Sequence, residues 1–176
     1  MSESENVWSE RAGRVVRTVL ARKGIGYSHL SAGLAQFGVT EGEKALAARV
    51  SRGRISLMMF LQVMHVTRAK LPQLWEISHD ALESWDVRAL HVMRSELKRH
   101  PSVSLGDLAR RIQVIGASQS ENTLVTRMSS GTLSLATFLQ CLVALGSSSL
   151  ESFIDYEDLV SAAQTYVGQD DATTGR

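Results

Sequence analysis

The sequence has a single cysteine and two prolines in 176 residues, few aromatics, and no apolar run near the roughly 20 residues of a membrane helix. The longest candidate, Leu57 to Val66, is interrupted by Gln62 and His65. Cys141 has no partner for an internal disulfide and lies in an apolar stretch, so it reads as a core thiol and not as a nucleophile. The histidines, His29, His65, His79, His91 and His100, never fall at a spacing that puts two ligands on one helix face, and no cysteine cluster exists. Glycine-rich phosphate loops, nucleophile elbows and paired-carboxylate motifs are missing too. The expectation is a protein that is not an enzyme, holds no metal or cofactor, and has no identifiable small-molecule substrate. Glu3, Glu5 and Glu10 stand where a signal peptide would carry its basic region, so a cytoplasmic location is expected.

What the chain does have, it has twice. An ungapped offset of 78 residues aligns Leu30 with Leu108, Gly38 with Gly116, Glu43 with Glu121 and Leu46 with Leu124. It continues through Arg49 and Arg127, Gly53 and Gly131, and Phe60-Leu61-Gln62 and Phe138-Leu139-Gln140. Upstream the offset is 77, pairing Trp8 with Trp85 and Arg11 with Arg88, so one residue is inserted between about 98 and 105. Two copies of so long a period mean a duplicated small domain and not a solenoid. The boundaries read as a first unit over 7–75, a linker over 76–84, a second unit over 85–149, a helical extension over 150–167 and an unstructured tail over 168–176. Units this small have limited cores, so each is expected to lean on the other or on the extension.

Charge is sorted along the chain. From Arg11 to Trp75 eleven Lys or Arg face two acids, whereas from Trp85 to Leu150 seven face four. The ends and the linker are acidic, and the total is only +1. Such segregation gives the first copy a basic face suited to a polyanion.

Apolar spacing is helical nearly throughout, and no period-two alternation is long enough for a strand, so the fold is expected to be all-α. Trp8, Ala12, Val15, Val16, Val19 and Leu20 make one stripe of a helix over 7–23 that Gly24 and Gly26 stop. Ser28 is expected to cap a short helix ending at Gly38, and Thr40 with Glu43 to form a capping box for a third helix running to about Arg52. Ser118 and Glu121 repeat the box, while Ser56 and Ser134 are expected to cap the most apolar helix of each unit. In the linker, Leu74, Trp75, Ile77 and Leu82 are available to bury.

A short helix closed by glycine, a tight turn, a capped helix, a second glycine and a fourth helix is the order of a helix-turn-helix unit. Tyr27-Ser-His-Leu30 through Gly38, followed by Arg49-Val-Ser-Arg-Gly-Arg-Ile-Ser-Leu57, resembles the Cro and phage-repressor type of that unit. More narrowly, Arg49 to Gln62 is similar to an uncharacterised bacterial family of short repressor-like domains, normally met as one copy. Ser95 to Gly146 is similar to the same family. The resemblance implies double-stranded DNA binding in transcriptional regulation of a mobile element, phage or plasmid.

The residues expected to carry that contact are Lys44, Ala48, Arg49, Ser51, Arg52 and Arg54 in the first copy, and Asn122, Thr123, Thr126, Arg127 and Ser130 in the second. Ala45, Ala47 and Ala48 stand where the family tends to place polar readers, and alanine offers a thymine methyl contact but no hydrogen bond. The second copy has the hydrogen-bonding groups and lacks the flanking cations, with Ser130 and Thr132 in place of Arg52 and Arg54. Arg49 and Arg127, common to both copies, suit equally a structural role on a carboxylate or carbonyl. Two units on one chain would do the work of a repressor dimer, and a homodimer through 150–167 is compatible with this reading. The rival reading is a protein-interaction module, anti-activator, antirepressor or scaffold, that kept the fold without base readout.

Overall fold

The computed structural model describes residues 3–77, 83–117 and 119–173. Nine α-helices and no strand occur among them, as the spacing requires. The first copy contributes α1 (Glu3–Lys23), α2 (Tyr27–Leu34), α3 (Glu43–Ser51) and α4 (Leu57–Val66). The second contributes α5 (Trp85–Lys98), α6 (Leu105–Val114), α7 (Glu121–Ser129) and α8 (Leu135–Leu145), and α9 (Tyr156–Thr173) follows. No described helix is long and apolar enough to cross a membrane.

The expected caps form at the most apolar helices and not at α2, α3 or α7. Ser56 caps α4 by accepting from the Met59 amide, and Ser134 caps α8 by accepting from that of Thr137. At α3, however, the N-cap is Gly42 with no side-chain bond, so the expected box between Thr40 and Glu43 does not form. The helix begins two residues too late for Thr40 to reach it, because Glu43 stands at N1 and not at N3. Likewise α2 starts beyond Gly26, which leaves Ser28 inside the helix. In the second copy Ser120 caps α7 through the Thr123 amide, and Ser118 lies outside the described residues. The true capping box belongs to α6, where Ser104 and Asp107 exchange backbone and side-chain bonds. The Ser104 hydroxyl and amide hold the Asp107 carboxyl below the usual carboxylate range.

The two copies interlock. Helix α1 packs chiefly on α8 of the second copy and on its own α3, and correspondingly α5 packs on α4 of the first copy and on its own α7. Between the paired units lies a reciprocal backbone link. The Leu57 amide donates to the Leu133 carbonyl at 2.8 Å, and the Leu135 amide donates to the Ile55 carbonyl at 2.7 Å. Each residue of that link is 78 positions from its counterpart, so the copies are related by an approximate two-fold axis between Ser56 and Ser134. Each unit's leading tryptophan confirms the exchange. Trp8 donates its indole N–H to the Ile115 carbonyl at 3.0 Å, and Trp85 meets the equivalent residue of the first copy, Phe37, edge-on at 5.0 Å between ring centroids.

The result is one continuous core through both copies and α9. Cys141 lies fully inside it, and burial pushes its thiol up to about 12. The thiolate is the reacting form, so Cys141 should resist Ellman's reagent in the native state at pH 8 and react promptly in denaturant. Fast native labelling would contradict this placement.

The segment after α4 also crosses to the other copy. It forms no helix over 71–77, and Leu74 remains exposed, but Trp75 is buried with its indole N–H on Glu96 Oε1 at 2.7 Å. Ser147 donates to the other oxygen of Glu96 at 2.7 Å, so this buried carboxylate is held by two hydrogen bonds. Its counterpart in the first copy is Val19, and the counterpart of Trp75 is Phe153, whose side chain has no N–H to give. An apolar pair at one end of the molecule is thus a polar pair at the other. Leu82 lies outside the described residues.

In the extension, Leu150, Ile154, Leu159, Ala162 and Ala163 are buried within the chain, and α9 packs on α8 and α1. Arg14 Nη1 meets Asp158 Oδ2 at 2.9 Å across that contact. The apolar side chains that a dimer through 150–167 would use are therefore largely engaged internally. Helix α9 runs on to Thr173, into the tail expected to lack structure, and residues 174–176 lie outside the described residues.

Candidate nucleic-acid interface

Helices α3 and α7 are held only on one side. Leu46 and Val50 of α3 and Leu124 and Met128 of α7 are buried, and their neighbours are α1 and α2 in one case, α5 and α6 in the other. Neither helix packs on the other or on α9 to any extent. Their outer faces are therefore open to solvent on both sides of the approximate axis.

Both helices stop in the same way, because both end at a glycine that must take a left-handed backbone. Gly53 has φ +64° and Gly131 has φ +68°. In the first copy the Gly53 amide bonds the Val50 carbonyl at 3.0 Å and the Arg54 amide bonds that of Arg49 at 3.1 Å, the paired pattern of a Schellman ending. Gly131 with Met128, and Thr132 with Arg127, repeat it at 3.4 and 3.0 Å. A second constraint acts at these positions. A Cβ on Gly53 would overlap the Ser9 backbone, lying 2.7 Å from Ser9 Cα, and one on Gly131 would lie 2.6 Å from Asp86 Cβ. The glycines thus let the start of α1 or α5 close over the end of the exposed helix.

That closure places the cations. Arg52 and Arg54 flank Gly53, and both are exposed beside a cleft shared with Asn6, Ser9 and Glu10 at the start of α1. Lys44 and Ser51 are exposed on α3, whereas Ala48 and Arg49 are half-buried. Arg49 Nη2 forms an ion pair with Glu41 Oε1 at 2.9 Å, and its Nη1 lies 3.2 Å from the Met59 sulfur. Its charge is in good part neutralised, which makes it the most structural of the expected contacts. Lys44, Arg52 and Arg54 have no side-chain partner among the described residues.

On α7, Asn122, Thr126, Arg127 and Ser130 are exposed. Thr123 is half-buried and its hydroxyl lies 2.9 Å from Ser120 Oγ, while Ser130 Oγ lies 2.7 Å from Thr132 Oγ1. The expected residues therefore form two separate sets, one per copy, and not one cluster. Sequence reasoning did not single out Gln119, Thr137 or Gln140, which are buried polar residues behind Arg127. The replacement of Glu41 by Gln119 under the repeat alignment was the available signal.

A family model described as a domain of unknown function (DUF6471) matches residues 8–71 and again 85–150. The chain belongs to this family, in two copies. The matched spans coincide with the two interlocked units, from each leading tryptophan to the segment just beyond α4 or α8. No curated protein and no solved structure matches the chain. In both copies of the family domain the glycine after the third helix is the residue that lets the first helix close over it.

Proposed function

We propose that this protein binds double-stranded DNA as a regulator, offering α3 and α7 to the groove from two sides of one pseudo-dimeric body. The order α2, glycine turn, α3 is that of a Cro-like helix-turn-helix, and an exposed helix held at its inner edge is what major-groove entry needs. The observation that carries the reading is the set of cations without a side-chain partner among the described residues, Lys44, Arg52 and Arg54, on the open side of α3. Such groups at a helix end are suited to phosphates. The approximate two-fold axis supports the reading further, since a duplex presents symmetric half-sites to a symmetric protein. In this scheme the first copy supplies most of the phosphate grip, and Asn122, Thr126 and Ser130 of the second supply hydrogen-bonding groups for base edges.

Binding to random-sequence duplex, followed by fluorescence anisotropy, should weaken steeply between about 50 and 200 mM salt. Arg52→Ala with Arg54→Ala should flatten the log–log salt slope by about one unit per lost contact. An unchanged slope would remove both arginines from the interface.

One observation favours the rival, a protein-interaction module. Val125 is 40% exposed on the outer face of α7, where a polar reader would be expected. Absence of any retention on duplex at low salt would leave that reading standing.

A further inference from the structure

Behind α7 lies a cavity of about 320 Å³ whose walls include Trp8, Gln119, Arg127, Ala136, Thr137 and Gln140. The internal repeat explains why it is there. At the equivalent places of the first copy stand Glu41 for Gln119, Arg49 for Arg127, Met58 for Ala136 and Met59 for Thr137. There the arginine is closed by the Glu41 carboxylate and lies against the Met59 sulfur. In the second copy both methionines are replaced by smaller side chains, and the carboxylate is an uncharged amide. Volume has been removed and an anion has been removed, while the cation has stayed.

Two groups are left without partners by that exchange. The Arg127 guanidinium has none among the described residues. Gln119 is 7% exposed and uses its Nε2 on Thr137 Oγ1 at 2.7 Å, but its Oε1 is buried with no hydrogen bond among the described residues. A buried acceptor left unfilled is costly, and protein interiors seldom tolerate one without a ligand or water to fill it. A cation with an unfilled acceptor nearby calls for a molecule carrying an anion next to a donor.

We propose that this cavity binds a small carboxylate bearing a neighbouring hydroxyl or ammonium group, an α-hydroxy or α-amino acid. The carboxylate takes the place of the missing Glu41 equivalent on Arg127, and the donor fills Gln119 Oε1. Trp8 of α1 forms part of the wall, so the ligand would sit where the two copies interlock. The inference stands apart from the DNA reading and is tested without nucleic acid.

The test is a two-dimensional NMR titration of the full chain with L-lactate and, separately, L-alanine, with acetate and sodium chloride as controls. With one partly exposed cation in the site, affinity in the millimolar range, about 1–10 mM, is expected. The Trp8 indole N–H and the Gln119 side-chain amide should shift saturably with lactate or alanine, at least tenfold tighter than with acetate. The two arms tell which donor the site takes. Gln119→Glu supplies Arg127 with an internal carboxylate, and Arg127→Ala removes the cation, so each should weaken binding at least tenfold. Arg127 is exposed, so its variant stays folded for the comparison even if the buried one does not. No saturable shift with either probe, equal affinity for acetate, or unchanged affinity in Arg127→Ala would overturn the proposal.

Discussion

Gly53→Ala is expected to destabilise the protein by more than about 3 kcal/mol, whereas Gly24→Ala should cost only about 1 kcal/mol. Both glycines have a left-handed backbone, with φ +64° and φ +62°, so the conformational cost of a side chain is common to both. What differs is the space. A Cβ at Gly24 meets nothing within 4 Å, but one at Gly53 runs into the backbone of Ser9. A backbone atom has no rotamer by which to retreat, so α1 must lift from the end of α3. Because Trp8 is the neighbour of Ser9 and is anchored to Ile115, that movement also strains the link between copies. Denaturant unfolding of the two variants checks the comparison, and equal costs would contradict the close approach.

The second large effect concerns the halves. Residues 1–77 expressed alone should yield no folded monomer, and whatever folded material forms should be a concentration-dependent dimer. Helix α1 buries Trp8, Ala12, Val15, Val16, Val19 and Leu20, and its principal neighbour is α8, which this half lacks. A fully buried large apolar side chain is worth roughly 1.5–3 kcal/mol, so losing even half of this stripe approaches the 5–15 kcal/mol stability of a typical domain. In addition α4, which normally receives α5, would present its apolar face to water. A second copy of the same half could satisfy both needs by placing each α1 on the other's α4. Sedimentation and circular dichroism over a concentration series distinguish the cases. A monomer melting cooperatively near the temperature of the full chain would refute the interlocked arrangement.

That arrangement was the least legible part of the fold. The repeat, the all-α class, the buried stripe of α1 and the glycine stops could all be read from spacing, since each depends on residues close in sequence. Alignment of the copies says which residues are equivalent, but the same apolar stripe fits α4 and α8 alike, so it does not say which of the two α1 covers. The caps show a different limit. Thr40 and Glu43 have the right spacing for a box, yet Gly42 supplies a start without any side chain and moves the helix beyond their reach. Ser104 and Asp107 have the same spacing and do form it, which pattern alone does not separate.

For the candidate interface, exposure of Lys44, Arg52 and Arg54 followed from their place around the buried Leu46 and Val50. The differing states of Arg49 and Arg127 did not, although both occupy one place in the repeat. Their difference lies in contacts with Glu41 and Met59, whose counterparts Gln119 and Thr137 turn to each other instead. A pair that closes on its arginine in one copy closes on itself in the other, and only three-dimensional placement reveals that choice.

Duplex DNA is proposed to meet the open faces of α3 and α7. The most direct test is mapping backbone amide shifts on the intact, isotope-labelled chain as a short random duplex is added at low salt. Changes should concentrate at Lys44, Ser51, Arg52 and Arg54, with a second set at Asn122, Thr126 and Ser130, while the inner turns of α4 and α8 stay unchanged. A spectrum unaffected by duplex, or changes confined to α9, would contradict that contact.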